Sequence, residues 1–575
     1  MTYAVLLLIS LAIPSLAWCQ PASPVSPLVA DRIRLFEAWA ESQMAYRGQP
    51  GLAIGIVHDQ DLVWTRGFGH ADRERGIPAT PETLFRIASI TKTFTATAIM
   101  QLRDQGKLQL DDPVAKHLPS FAVRPREPGG HPITIRHLLM HVSGLPREAD
   151  FPYWTTQQFP TREAILKALP DQEQFFQAET RWKYSNLAVT LAGEIVTSVS
   201  GEPWDRYVRQ HILDPLGMTS TVTDAPADAL ANLATAYGRR LPDLSRSPRI
   251  GGVQTRGLAP AAGMASNVRD LAKYVAMQFR TGPAGGAQVL SGASLREMQR
   301  VHWLNPDWQG GQGIGFQVRR AGDRTLVGHG GSLPGMRTQI TFDARDKIGV
   351  IVLSNADDGN PGLYVDQAFA LVAPVLARKT TEVVVTPPPA TWTMYEGLYR
   401  SPWGDTQVVL LSTGLVMFDP SSLSNPDRII RLRPQGEHAF RVEGVCGADV
   451  GPVFPNRGIR ASDHCGRGQG CLGRGAARRD GRGLESRSDR EGAHGGERRD
   501  GAVPNRGPAP RRLHRHLHAA GVQHRETRRH RADGIVCRDR QRRVEGGRGL
   551  RDDHRQRRDA HRGHRQREEA VDDDE

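Results

Sequence analysis

The sequence predicts an α+β fold: one antiparallel sheet, built from strands near both ends of residues 28–378, flanked by helices and interrupted by an α-rich insertion. Three observations carry this expectation. Two short apolar runs near the N-terminal end flank a polar break, three strand-like runs lie near the C-terminal end, and the stretch between them has helical periodicity.

Taken in order, Asp31 to Tyr46 spaces Ile33, Leu35, Phe36, Trp39 and Met44 as an amphipathic helix does. Leu52 to Val57 and Leu62 to Phe68 flank His58-Asp-Gln-Asp61 and read as an antiparallel hairpin. From Ser89 to about Gly263 the chain is helical and loop-rich, with Gly106 placed to stop a helix that begins at Ser89. Helical segments follow at Val268 to Gln278 and Ser294 to Val301, then strands at Arg324 to Gly328, Arg337 to Phe342 and Ile348 to Leu353. Thr386-Pro-Pro-Pro389 stiffens a linker at residues 379–391. Beyond it, Tyr395 to Tyr399, Gln407 to Leu411, Gly414 to Phe418 and Ile429 to Leu432 read as strands of a small β domain, residues 392–446, that stops abruptly.

The two termini read differently from the body. Ala4 to Ile13 is apolar and the following residues are small or polar, so residues 1–19 resemble a secretory signal peptide. The run falls short of the roughly 20 residues a spanning helix needs, so export to the periplasm or medium is expected, with no stable membrane span. From Gly451 onward there are 31 Arg, no Lys and 20 Asp plus Glu, a surplus of 31 − 20 = +11 within a net charge of +13 for the 575 residues. Residues 447–575 contain no aromatic ring after Phe454 and are expected to stay disordered, because they cannot bury enough apolar surface to offset ordering. Loss of Lys, Tyr, Trp and Phe in favour of Arg, Gly, His and Asp is what out-of-frame reading of a GC-rich gene gives, and a frameshift is expected near residues 443–450. Nucleic-acid binding through this basic tail is the weaker alternative, since repeats and interleaved aromatics are missing. Cys19 lies in the leader, and Cys446, Cys465, Cys471 and Cys537 lie at or beyond the end of the body, which leaves it no structural disulfide.

Three short motifs carry chemistry. Ser89-Ile-Thr-Lys92 is the chain's single Ser-x-x-Lys, and on a helix it places the lysine one turn after the serine on the same face. A serine hydroxyl needs a base to become a nucleophile, and a buried lysine beside other positive charge can serve. Tyr184-Ser-Asn186, the single Tyr-x-Asn, offers a phenol to relay a proton and an amide to orient both lysine and substrate. Gly328-His329-Gly-Gly331-Ser332 places paired glycines on a strand, where a ligand approaches the backbone closely. The amides of Ser89 and Ser332 would then form a two-donor oxyanion hole.

The ordered set Ser-x-x-Lys, Tyr-x-Asn, His-x-Gly resembles class C β-lactamases, D-alanyl-D-alanine carboxypeptidases and related esterases and D-aminopeptidases. Leu84-Phe-Arg-Ile-Ala-Ser89, Ile133 to Pro146, Asp214-Pro-Leu-Gly-Met218 and Gly328 to Gly335 are similar to the same family, over about Asp31 to Leu376. The resemblance implies a β-lactamase/transpeptidase-like fold and a lipocalin-like β domain after Pro389. It also implies a Ser89 nucleophile, proton transfer shared by Lys92 and Tyr184, and substrate contacts from Asn186, His329, Gly331 and Ser332. Ester or amide bonds of small molecules or peptides are the implied substrates. A true β-lactamase and a penicillin-binding sensor that acylates without turnover are the alternatives.

His329 stands where β-lactamases carry a lysine. A neutral imidazole pairs poorly with a carboxylate, which favours uncharged substrates. Arg337, just past the glycines, either restores a positive charge or is a surface strand residue. No Gly-x-Ser-x-Gly elbow occurs in the chain. His137 and His141 have zinc-helix spacing without the accompanying glutamate and are read as structural, so no metal or other cofactor is expected.

Overall fold

The computed structural model describes residues 26–443 except 249–253, 283–285, 379–385, 402–403, 423–427 and 437. The expected leader, the first half of the linker, all the cysteines, the expected frameshift and the tail lie outside the described residues.

Strands β1 (Gly51–His58), β2 (Asp61–Asp72), β3 (Ile77–Pro78), β4 (Trp303–Leu304), β5 (Gly310–Gln312), β6 (Gln317–Ala321), β7 (Arg324–Leu333), β8 (Met336–Asp343) and β9 (Ile348–Ser354) share one antiparallel sheet. Its order is β3, β2, β1, β9, β8, β7, β6, β5, β4. The early hairpin therefore pairs with the last strand of the body, with Ile54 opposite Val352. This is the closure expected from strands at both ends of the chain. The helices that build the core and the site are α1 (Pro27–Arg47), α2 (Thr91–Asp104), α3 (Asn186–Ser200), α4 (Val268–Met277) and α5 (Pro361–Leu371).

Both faces of the sheet are covered, which is why β1 and β9 read as continuous apolar runs instead of alternating. Leu52, Ile54, Ile56, Val350 and Val352 join Phe36 and Trp39 of α1 and Tyr364 and Phe369 of α5 in one cluster. Ala53, Val57, Ile351 and Leu353 join Phe94 of α2 and Val268 and Val275 of α4 in the other. Helix α1 begins earlier than its apolar spacing suggests because Pro27, in the first turn, has no amide to satisfy.

The insertion leaves and returns to the sheet region through a short antiparallel pair, Phe85 opposite Ser266 and Arg86 opposite Ala265. Beyond the body, strands β10 (Gly397–Ser401), β11 (Gly404–Leu411), β12 (Gly414–Phe418), β13 (Ile430–Pro434) and β14 (Phe440–Val442) form an antiparallel meander. Val409, Leu411, Val416 and Phe418 join the cluster around α1, and Asp31 accepts hydrogen bonds from the amide and hydroxyl of Ser412 at 2.7 and 2.6 Å.

Three expectations need correction. The strand expected from Tyr395 starts at Gly397, because Ala390–Tyr395 is a 3-10 turn. The strand expected to end at Gly328 runs to Leu333, since its glycines make room for a neighbouring segment without ending the strand. Ser89 does not begin α2, as described below. Strands β4 to β6 were not foreseen.

Glycine in β1 answers to close packing. A Cβ on Gly55 would stand 2.4 Å from Val268 Cγ1 of α4. Gly55→Ala should therefore destabilise the protein by about 1–3 kcal/mol through overpacking. Adding Val268→Ala should recover part of the loss in thermal melting, and a Gly55→Ala protein as stable as the parent would contradict this packing.

Candidate active site

The chain reaches the site through Phe85–Arg86 and a 3-10 turn, Ala88–Ile90, that runs into α2. Ser89 sits in this turn, ahead of the helix, because Ala88 adopts φ 47°, a left-handed conformation that a residue with a Cβ takes only when its surroundings impose it. The surroundings do so. The Ile87 amide donates to Met264 O at 3.0 Å, and Ile87 O accepts from Thr338 Oγ1 of β8 at 3.1 Å. A Cβ on Gly331 would lie 2.2 Å from Ile87 O, so this glycine lets β7 pass directly against the turn.

Lys92 keeps the expected relation to Ser89. Its Nζ lies 3.1 Å from Ser89 Oγ, 2.6 Å from Asn186 Oδ1 and 2.9 Å from Ala261 O. An ammonium would donate to all three, whereas a neutral amine would donate to the amide and the carbonyl and turn its lone pair on the serine hydroxyl. Lys92 is 1% exposed while Ser89 is partly open to solvent. Burial pulls the lysine down to about 7; the Glu148 carboxylate opposes that shift and the Arg147 guanidinium adds to it.

Tyr184 and Asn186 flank Ser185, the N-cap of α3. Ser185 Oγ accepts from the Ala188 amide at 2.9 Å and donates to Pro146 O at 2.6 Å. The cap fixes the phenol and the amide on either side of it. The Tyr184 ring centroid lies 4.8 Å from Lys92 Nζ and 4.4 Å from the centroid of the buried His141 ring. Tyr184 as a residue is partly exposed, yet enclosure of its hydroxyl pushes the phenol up, against a lowering influence from a hydrogen bond with Ser89.

His329, Gly331 and Ser332 line β7. The register with β6 ends at Gly328 opposite Gln317, so among the described residues His329 to Leu333 have no strand partner on that side. His329 is 4% exposed. Its Nδ1 lies 2.6 Å from Gly330 O and is therefore the protonated nitrogen, and its Nε2 has no hydrogen-bond partner among the described residues. Burial first, and the Lys92 charge second, bring this imidazole down to about 4.

Residues 36–373 match the profile of the Beta-lactamase family. The chain belongs to the β-lactamase family. Among curated relatives, Beta-lactamase-like protein 2 of Dictyostelium discoideum is 27% identical over 424 residues, 68% of this chain and 76% of that protein. A putative D-alanyl-D-alanine carboxypeptidase of Escherichia coli O157:H7 is 27% identical over 368 residues, 56% of this chain and 82% of that protein. Among solved structures, the octameric penicillin-binding protein homologue from Pyrococcus abyssi superposes with a TM-score of 0.53 at 27% identity, covering 71% of this chain and 93% of that one. A β-lactamase/D-alanine carboxypeptidase from Yersinia pestis gives 0.51 at 26%, covering 60% and 99%. The fold is thus that of the β-lactamase-fold hydrolases.

As a β-lactamase-family chain it places its other polar residues informatively. Arg337 is engaged with the turn between β7 and β8, donating to Leu333 O at 3.1 Å and Met336 O at 3.0 Å, with Asp357 3.9 Å away. His137 caps its own helix with Thr134 and meets Glu179 at 3.1 Å, while His141 packs on Tyr184. Among the described residues no group of three or more His, Cys, Asp or Glu is arranged to hold a metal ion, and no helix is long and apolar enough to cross a membrane. The sequence reading missed Arg147, Glu148, Tyr153 and Ala261. Glu148 and Arg147 directly follow the family-like stretch ending at Pro146, but no spacing rule marks them.

The neutral, Nδ1-protonated state of His329 is measurable. Long-range ¹H–¹⁵N spectra should show its Nδ1–H tautomer across neutral pH, with protonation only near pH 4. A midpoint near the ordinary histidine value of about 6.5 would contradict the burial described.

Proposed function

We propose that this protein is a serine hydrolase that cleaves ester or amide bonds of small molecules or peptides through a Ser89 acyl-enzyme, in the manner of an esterase or D-peptidase. The observation that carries the proposal is Lys92 Nζ 3.1 Å from Ser89 Oγ in an enclosure that holds its ammonium down to about 7. Near neutral pH such a lysine is available as a base without losing its place.

Neutral Lys92 takes the Ser89 proton as Oγ bonds to the substrate carbonyl carbon. The resulting oxyanion lies between the amides of Ser89 and Ser332, and the unpaired edge of β7 beyond Gly328 is consistent with that role for Ser332. Lys92 and Tyr184 return the proton to the leaving alcohol or amine. Water then attacks the acyl carbon, giving up a proton to the same pair, and the carboxylic acid departs as Ser89 regains its hydrogen. Asn186 orients Lys92 and offers its amide to the substrate.

Neutral His329 and the commitment of Arg337 to its own turn and Asp357 support substrates without a carboxylate beside the scissile bond. Relatives named as a β-lactamase-like protein and a putative D-alanyl-D-alanine carboxypeptidase support hydrolysis as the reaction class. Every residue in this chemistry lies within residues 28–378. The apolar run Ala4 to Ile13 supports export.

The test compares p-nitrophenyl butyrate with nitrocefin on the parent, Ser89→Ala and His329→Lys. Ester turnover should vanish in Ser89→Ala, nitrocefin should be turned over slowly if at all, and His329→Lys should raise nitrocefin hydrolysis relative to ester. Fast nitrocefin hydrolysis by the parent would make it a β-lactamase. Acylation by nitrocefin without release would make it a sensor. Ester turnover that persists in Ser89→Ala would overturn the mechanism.

A further inference from the structure

Glu148 lies outside all three motifs, yet it ends a line of hydrogen bonds that leads to the nucleophile. Tyr153, fully buried, donates its hydroxyl hydrogen to Glu148 Oε2. Glu148 Oε1 accepts from Asn186 Nδ2 at 2.6 Å, and Asn186 Oδ1 accepts from Lys92 Nζ at 2.6 Å. An asparagine amide has a donor end and an acceptor end, and a half-turn would present NH₂ to the lysine. A carboxylate only accepts, so Glu148 selects the orientation in which oxygen faces Lys92. Its side chain is 18% exposed, so this acceptor stands at the wall of the site and not in the core.

We propose that Glu148 is a positioning residue for Lys92, locking the Asn186 amide oxygen onto the lysine and supplying the negative charge that balances the cations around Ser89. The charged and titratable groups facing Lys92 can be enumerated. His141, Arg147 and Glu148 come from the loop between the short helices Ile135–Leu139 and Tyr153–Thr156, Tyr184 from the residue preceding the α3 cap, and His329 from β7. The two imidazoles are held neutral by burial, with Lys92 itself opposing their protonation. Arg147 is a permanent cation, 3.6 Å from Glu148 and stacked 5.6 Å from the Tyr184 centroid. Glu148 is thus the carboxylate that offsets burial and Arg147 at the lysine. Without it the ammonium is less stable, and Lys92 loses its proton at lower pH.

The inference rests on the reading of Ser89 as nucleophile, and two measurements on the full chain separate the two. The first is a ¹³C NMR titration of the Lys92 Cε, assigned with Lys92→Arg, which needs no turnover. The second is the pH dependence of Ser89 acylation by p-nitrophenyl butyrate, read by intact mass. In Glu148→Gln the Lys92 midpoint should fall by about one pH unit or more, and the acid limb of acylation should move to lower pH with it. Glu148→Asp, which keeps the charge one methylene farther back, should give an intermediate shift and carries the test if the glutamine variant fails to fold. Tyr153→Phe keeps the charge and should lower the melting temperature without moving the midpoint. An unchanged midpoint and limb in Glu148→Gln and Glu148→Asp, with only stability lost, would overturn the inference while leaving the hydrolase reading intact. A shifted midpoint without acylation of Ser89 in any variant would support the inference and sink the hydrolase reading.

Discussion

The structure depends on keeping one lysine dry beside one serine. Taking an ammonium out of water costs several kcal/mol unless its hydrogen-bonding capacity is met by protein. Lys92 meets this constraint with three acceptors drawn from three segments: Ser89 in the turn before α2, Asn186 at the start of α3, and Ala261 just ahead of Gly263. Loss of any one leaves a buried donor unpaired, which converts a local defect into a change in the lysine's proton affinity.

The sheet and the insertion cooperate to place these acceptors. Pairing of Phe85–Arg86 with Ala265–Ser266 brings the two ends of the insertion together, so the turn holding Ser89, just after one strand, and the short helix holding Ala261, just before the other, meet at the site. Thr338 of β8 and the bare α-carbon of Gly331 on β7 bring the sheet against Ile87. That contact sustains the left-handed Ala88 and turns Ser89 outward from the helix start while Lys92 points into the body. On the far side of the sheet, α1 and the β meander add apolar cover.

Much of this was legible in the residues. The spacing of Phe36 and Trp39, the apolar runs 52–57 and 348–353, and the break at His58 to Asp61 report burial directly, because side-chain periodicity is set by backbone geometry. The ordered motifs placed Ser89, Lys92, Tyr184, Asn186 and His329 in one site. Strands β4 to β6 were not legible, since they are short, carry adjacent glycines at Gly310 and Gly311, and leave Leu304 exposed, so they lack the alternation that marks a strand. The turn at Ala88 was hidden because its strain comes from tertiary contacts with Met264, Thr338 and Gly331, not from an alanine's own preference. Glu148 was hidden for a related reason: its effect acts through Asn186, a partner 38 residues away in sequence.

The most direct test of the account is to label the protein with a fluorophosphonate across pH and locate the adduct by peptide mass. A single adduct is expected on the peptide containing Ser89, formed at a rate that rises with pH through a midpoint of about 7, with no adduct at useful rate in Lys92→Arg, whose side chain stays a cation. An adduct on another residue, or a Lys92→Arg protein labelled as fast as the parent, would contradict it.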